Sequence, residues 1–467
     1  MLHSQKFHFS NGKSYEREKI MKKKLLAIIL ASALLVSAAG CGGSKGGKTS
    51  TGDNGKIKAG NTNLTWEEVK AKIPEKLKGT EITFYQWNEM SSVPDAKKVI
   101  DKFTEETGIK VNWIVTNWDD YATVLASKVA TGESPDVVRL GATNASVVPY
   151  LMPLSDVDYD FTDQAWDLDN IMYQYQVNGK LYGAALKDTP FFMPTVCYYN
   201  RDLIKKYGLE DPYDLWKKGE WTWDKEMELC STFLKKAGNQ YQGLTSAGGG
   251  EYAATVYNTS LMSYVPEENK FVSHMSDANL TKGWQWMVQN INKGLVTKEH
   301  LLIDEFNNGL ILFYHDSLIG ARTSHYYHRP LKNNKSLGVV PLPCAESYDS
   351  FYQPLVEIEA YGIAKGAPNA EAVPYFLRYY LDASNYNMDK FYYDEQSAEV
   401  EKWCKQQKLT YDADGIIQKE LHGESSWTIR KTIRETTVSQ VKSTLDSYAP
   451  VVKSCVDQMN KKYSELK

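Results

Sequence analysis

Glu81-Ile82-Thr83-Phe84-Tyr85-Gln86-Trp87 opens the run that sets the architecture. Rich in β-branched and aromatic residues, it reads as a short strand. Pro94 through Thr107 has helical spacing and ends at Gly108. Ile109 to Val115 is a second strand, Trp118 to Thr131 a second helix stopped by Gly132, and Pro135 to Leu140 a third strand. Strands alternating with helices roughly every 25 residues imply a parallel sheet with crossover helices, hence an α/β protein. In open sheets of that kind ligands sit beyond the carboxyl ends of the strands. Trp87-Asn88-Glu89, Trp118-Asp119 and Gly141-Ala142-Thr143-Asn144 are thereby expected along one rim.

Toward the amino end, Met21-Lys22-Lys23-Lys24 precedes an apolar stretch from Leu25 to Val36, and small residues then lead to Cys41. A basic segment, an apolar segment and a small-residue cleavage site make a secretory signal. The apolar part is shorter than the ~20 residues a permanent membrane helix needs, so the signal is expected to be removed. Ser37-Ala38-Ala39-Gly40-Cys41 resembles the lipobox of bacterial lipoproteins, with Ala38 where Leu is commonest. That resemblance implies a diacylated Cys41 as the first mature residue, and two acyl chains give stable anchoring. Residues 1–20 then read as an over-extended start, 21–41 as the lipoprotein signal and 42–63 as a flexible Gly/Ser/Lys tether.

The remaining 400 or so residues exceed one ordinary domain core and suggest two lobes. The chain is 42% hydrophobic and 24% charged, as for a globular body. Taking the seven Lys/Arg and two Asp/Glu of residues 1–41 from the totals of 54 and 58 leaves 47 basic and 56 acidic side chains, a net of about −9. An acidic surface disfavours nucleic acid, which is not expected as a partner. Cys197, Cys230, Cys344, Cys404 and Cys455 are widely spaced and odd in number, a weak disulfide framework, and read as small buried residues.

Eight segments in order carry a family likeness. They are Phe103–Val111, Ala130–Val137, Val177–Gly183, Tyr198–Leu203, Gly219–Asp224, Phe306–Gly309, Leu337–Leu342 and Ala360–Lys365. Together they resemble the family 1 extracellular solute-binding proteins, the maltose-binding-protein-like receptors of bacterial carbohydrate ABC importers. The resemblance implies a two-lobed periplasmic-binding-protein type II fold with hinge crossings near Ala184 to Pro194 and Leu355 to Ile363. By the same analogy residues 64–188 form lobe 1, 189–358 lobe 2, 359–410 a return to lobe 1, and 411–467 C-terminal helices mostly on lobe 2. It also implies a monomer serving two membrane permease subunits and a separate ATPase, tied to the outer face of the cell membrane by its lipid, with no cofactor.

A pyranose offers hydroxyls that need polar partners and an apolar face that packs on aromatic rings. Aromatic residues beside acids or amides are therefore the candidate contacts in this chain of 12 Trp and 31 Tyr. At the first rim these are Tyr85, Trp87, Asn88, Glu89, Trp118, Asp119 and Asn144. Farther along stand Asp188, Phe191, Glu251, Tyr252, His315, Arg322, Glu357, Glu359 and Tyr361. Trp113, Trp284 and Trp286 sit inside regular patterns and read as core, while Trp221 and Trp223 read as anchors of the helix that follows.

Glu357 and Glu359 share a face in an extended segment, and paired carboxylates hydrolyse glycosides. A catalytic pair must flank the scissile bond, however, and two acids on one segment approach from one side, so hydroxyl recognition or hinge bonding is favoured and no catalytic residue is expected. His315, His325, His328 and Asp316 lack zinc-site spacing, and no metal is expected. Gly248-Gly249-Gly250 lacks a phosphate-loop context, and Asp412-Ala413-Asp414-Gly415 is followed by Ile, Ile, Gln and Lys rather than calcium ligands. The expected function is capture of a carbohydrate, most plausibly an oligosaccharide. The alternatives are a secreted carbohydrate-active enzyme, or a receptor for a peptide or another small polar solute.

Overall fold

The computed structural model describes residues 57–118, 120–141, 144–246, 260–299, 302–318, 336–345, 356–357, 359–407, 413–417 and 424–466. Cys41 and its flanking leader and tether lie outside these residues.

The first sheet forms where the sequence placed it. Strand β1 (Glu81–Gln86) pairs in parallel with β2 (Lys110–Val115) on one side and β3 (Val137–Leu140) on the other. Helix α1 (Ala96–Thr107) crosses from β1 to β2, burying Val99, Ile100, Phe103 and Thr107 along one face. Gly108 ends it at φ +75°, and its N–H returns to the Thr104 carbonyl at 2.8 Å. Helix α2 (Tyr121–Thr131) ends the same way at Gly132, also at φ +75°. It begins three residues later than the spacing predicts, because Asn117 accepts from the Asp120 N–H at 2.9 Å and holds a turn. Trp118 is thereby left on that turn.

Beside β3 lies a strand from far along the chain. With β4 (Leu151–Met152), the sheet order is β2-β1-β3-β10-β4, where β10 (Ala360–Ala364) runs antiparallel to both neighbours. The second sheet contains β5 (Met193–Asn200), β6 (Gln242–Ser246), β7 (Ile311–Ser317) and β8 (Leu337–Pro341) in the order β8-β5-β7-β6. A two-residue strand, β9 (Val356–Glu357), adds to β5 through Glu357 opposite Met193. The chain thus leaves the second sheet at Glu357 and enters the first at Ala360, opposite Leu140. Antiparallel to this return run, Ala184 and Tyr361 exchange backbone hydrogen bonds of 2.8 and 2.9 Å.

Under the first sheet, Phe84 meets Trp113, Phe376, Tyr380 and Tyr361 at ring-centroid distances of 4.9, 5.2, 5.2 and 5.4 Å. Phe376 and Tyr380 come from α5 (Val373–Tyr380), all of whose side chains are buried. In the second lobe, Thr222 caps α3 (Trp223–Ala237) by accepting from the Lys225 N–H, and Trp221 and Trp223 are buried beside the cap, as expected. Trp284, on α4 (Ala278–Asn292), is buried as well. All five described cysteines are buried thiols outside any disulfide.

After α5 the chain leaves the first lobe earlier than residue 410. Helix α6 (Glu395–Cys404) packs on β8 and β5 of the second sheet, and its N-cap Asp394 pairs with Arg201 there. The apolar face of α6, with Val400 and Cys404 buried, needs that sheet to cover it. Helices α7 (Ser426–Arg434) and α8 (Val441–Ser464) pack on α4 and on each other. The turn Asp414–Ile416 joins this group to the first lobe, touching both α7 and the turn Asn144–Tyr150 that follows β3.

Candidate functional site: an aromatic rim beside a buried ion pair

At the carboxyl end of β1 the Trp87 ring meets three neighbours. Trp118 stands edge-on at 4.8 Å, Tyr121 edge-on at 5.0 Å, and the Arg139 guanidinium lies over the ring at 4.1 Å. Electrostatic attraction of a cation to the ring face holds the last pair. The loop after Trp87 is pinned from below, since the Trp113 indole N–H donates to the Asn88 carbonyl at 2.9 Å. Trp118 is 45% exposed. Glu89 is exposed too, at the start of the next turn.

Arg139 is the one charged residue of β3 and is buried. Its guanidinium pairs with Glu359, likewise buried, and the Tyr361 hydroxyl donates to the other Glu359 oxygen at 3.0 Å. Burial, then the Glu359 charge, pushes the Tyr361 phenol well up, so it is a donor at neutral pH. The cluster thus engages both Glu359 oxygens at the junction of β3 and β10. Sequence inspection placed Glu359 and Tyr361 at the site but passed over Arg139. The signal was present: a lone cation in an otherwise apolar buried strand, two residues before the Gly141-Ala142 loop.

Three expected contacts are placed elsewhere. Tyr85 is buried behind the rim, stacked on Tyr121 at 4.5 Å, and its hydroxyl donates to the Tyr121 carbonyl at 3.1 Å. β1 lies between β2 and β3 and is covered on both faces, so Tyr85 is buried against Tyr121 on the face opposite Phe84. Phe191 is buried among Tyr380, Tyr386 and Phe391, with centroids 5.4, 5.7 and 6.4 Å away, so it fills the space between the crossings. His315 is buried in β7, where its Nε2 lies 2.7 Å from Glu226 Oε1. Asp188 is exposed on the first crossing, and its carbonyl accepts from the Ala383 N–H at 3.0 Å.

Asp119, Glu251, Tyr252 and Arg322 lie outside the described residues. Asn144 opens the turn after β3 and Glu357 occupies β9, and only their backbones are described. Asp414, from the calcium-like segment, accepts the N–H groups of Leu261 and Met262 at 3.1 and 2.9 Å and pairs with Arg430 at 2.5 Å.

Cys197, Glu226 and His315 bring sulfur, oxygen and nitrogen donors within 4.8 Å of one another. Two donors each about 2.0 Å from one tetrahedral zinc stand roughly 3.3 Å apart. The 2.7 Å between His315 and Glu226 is a hydrogen-bond length instead. Cys197 Sγ, at 3.5 Å, is a further weak donor to the same carboxylate oxygen. The cluster therefore ties α3 to the second sheet.

Sequence spacing left one further tryptophan unassigned. Trp427, in the first turn of α7, is 42% exposed. Among the described residues the exposed large apolar side chains are Val115, Trp118, Leu310 and Trp427. The helix of Trp427 touches the C-terminal turn Asp414–Ile416, which in turn touches the turn after β3.

Residues 98–392, from α1 through both sheets to the last crossing, match the family described as bacterial extracellular solute-binding protein. This chain belongs to that family. Membership puts the working face of the solute-binding protein outside the cytoplasm. Among the described residues no helix is long and apolar enough to cross a membrane.

The solute-binding protein is similar to the GacH receptor of Streptomyces glaucescens, a structure determined unliganded and with acarbose. The TM-score is 0.60 at 16% identity, covering 80% of this chain and 99% of that one. It is also similar to the extracellular solute-binding protein of Staphylococcus aureus in complex with maltose, with TM-score 0.58, 14% identity, and 82% and 99% coverage. Both give the two-lobed α/β fold. Multiple sugar-binding protein of Streptococcus mutans is 26% identical over 162 residues, 34% of this chain and 35% of that protein, so the chain spans about a third of that relative's length.

Proposed function

We propose that this solute-binding protein is the lipid-anchored receptor of an ABC importer, and that it grips a carbohydrate, an oligosaccharide in particular, between its lobes. Exposed indoles carry the reading: Trp118 is half exposed over Trp87 at the rim, and Trp427 is half exposed on α7. Leaving two indoles in water is unfavourable unless something apolar covers them, and the C–H face of a pyranose does so while its hydroxyls stay hydrogen-bonded. Arg139 is neutralised by Glu359, which favours a neutral sugar over a sugar acid. Similarity to proteins named for maltose, acarbose and multiple sugars points the same way.

Two permease subunits and a separate ATPase complete the importer, and acylated Cys41 holds the receptor near them. Binding rather than hydrolysis is supported by the state of Glu359. Its two oxygens are engaged by Arg139 and Tyr361, so it is badly placed to protonate or attack a glycosidic bond. Thermal unfolding against a panel of mono- and oligosaccharides, sugar acids and peptides tests the proposal, with chromatography of the spent ligand. A neutral oligosaccharide at about 100 times its Kd stabilises by ~2.7 kcal/mol and raises Tm by several degrees, with no product formed. Release of shorter sugars, or stabilisation by peptides alone, overturns it. Cys41→Ser in the full chain should move the protein from the membrane fraction to the soluble one.

A further inference from the structure

We infer that Glu359 is the positioning residue at the pivot of the clamp: through Arg139 it holds the Trp87 platform, so the ring's orientation and the angle between the lobes are set together. Val356 and Glu357 pair with the second sheet and Ala360 with the first, which leaves two residues to turn the return strand from one lobe to the other. Glu359 is the second of them. Any rotation of the lobes that this crossing takes up must be absorbed by torsions at or beside it.

Glu359 does not swing freely with that turn. Its carboxylate is fastened to Arg139 of β3 and to the Tyr361 hydroxyl, both in the first lobe. Tyr361 is bonded through its backbone to Ala184 of the first crossing, so one carboxylate sits beside two of the strands that join the lobes. On its far side the Arg139 guanidinium covers Trp87 at 4.1 Å, and Trp87 braces the exposed Trp118. A turn of the return strand therefore pulls on Glu359, then Arg139, then the ring face.

Stability alone is a poor reason for such a pair, because apolar residues of similar volume are often as stabilising as a buried ion pair. What the pair supplies is direction, since a guanidinium and a carboxylate fix each other's plane. Closure over a ligand also removes water from the rim, and a lower local dielectric strengthens both the ion pair and the cation–ring contact. The closed arrangement gains from this pair beyond what direct ligand contacts give it.

The test uses spin labels on Lys102→Cys in the first lobe and Lys235→Cys in the second, both exposed positions, in a Cys41→Ser background, while the five described native thiols are buried. Without any sugar, Glu359→Gln should shift or broaden the interlobe distance distribution by about 3 Å or more and raise acrylamide quenching of tryptophan emission. Glu359→Asp, which keeps the charge, should move both back toward the parent. A Glu359→Gln variant that melts earlier but keeps the parent's distances and quenching overturns the inference. If that variant does not fold, Tyr361→Phe, which removes one hydrogen bond to the same carboxylate, carries the same measurement and is judged by the same outcomes. The sugar-free arm stands apart from the carbohydrate reading. A second arm, with maltotriose as probe, rests on that reading and expects at least tenfold weaker binding by Glu359→Gln wherever the parent binds.

Discussion

Replacing Trp118 with alanine should weaken sugar binding about tenfold and leave the fold nearly as stable as before. The side chain is 45% exposed. On an aromatic surface of at most ~250 Å², that leaves roughly 110 Å² in water. A single pyranose ring covers about half of it, and at ~25 cal/mol per Å² its loss costs about 1.4 kcal/mol, a factor of ten in Kd. The folded protein loses the edge-on contact with Trp87, worth ~0.5–1.5 kcal/mol, so the unliganded Tm should fall by no more than a few degrees. Isothermal titration with the tightest sugar of the panel, beside melting of the unliganded variant, reads both quantities. Affinity within twofold of the parent, in a variant that melts normally, refutes the assignment of Trp118 as a stacking surface. A large drop in unliganded Tm refutes the claim that the indole is held by the rim alone.

Trp427→Ala, on α7, should show the same division: weaker sugar binding by several-fold and little change in unliganded Tm, checked by the same titration. Cys197, Cys230, Cys344, Cys404 and Cys455 should be silent to a thiol reagent in native protein from residue 57 onward and react, all five, in guanidinium. Burial pushes the Cys344 thiol up to about 11 and the Cys455 thiol to about 12, so thiolate is scarce as well as inaccessible. A fast-reacting thiol in the native state would contradict the packing. In alkali, stability should fall. Burial raises the Tyr85 and Tyr379 phenols to about 12, so the folded state holds protons that the unfolded chain releases near pH 10. Their contribution is complete below pH 10 and is lost as pH rises toward 12, and denaturant midpoints that stay flat from pH 9 to 11.5 would refute it.

The order of elements from Glu81 to Leu140 was legible because each boundary carries a local signal. Gly108 and Gly132 end their helices at positive φ, and the strands between are short and β-rich. Where a signal was long-range it failed. Nothing near Glu395 says that its helix packs on the second sheet, because the surface that covers Val400 and Cys404 comes from β5 and β8, far back in the chain. For the candidate site, aromatic residues next to polar ones picked out Trp87 and Trp118, which meet at the carboxyl end of β1. Tyr85, Phe191 and His315 fit the same rule yet are buried, since adjacency in sequence does not say what packs over a residue from elsewhere in the chain. Trp427 could not be placed without the fold, because nothing in its local sequence says which turn its helix stands beside.

The position of β10 has a consequence for how the chain reaches its destination. The strand that lies between β3 and β4 begins at residue 360, some 210 residues beyond the strand it joins on one side and 220 beyond the other. While the ribosome is still making the second lobe, the first sheet has an open edge at β3 and cannot close. Non-local pairing of this kind slows folding. For a protein that works outside the cytoplasm, a first lobe that stays unfinished until most of the chain exists lengthens the interval in which it can be threaded through a membrane pore.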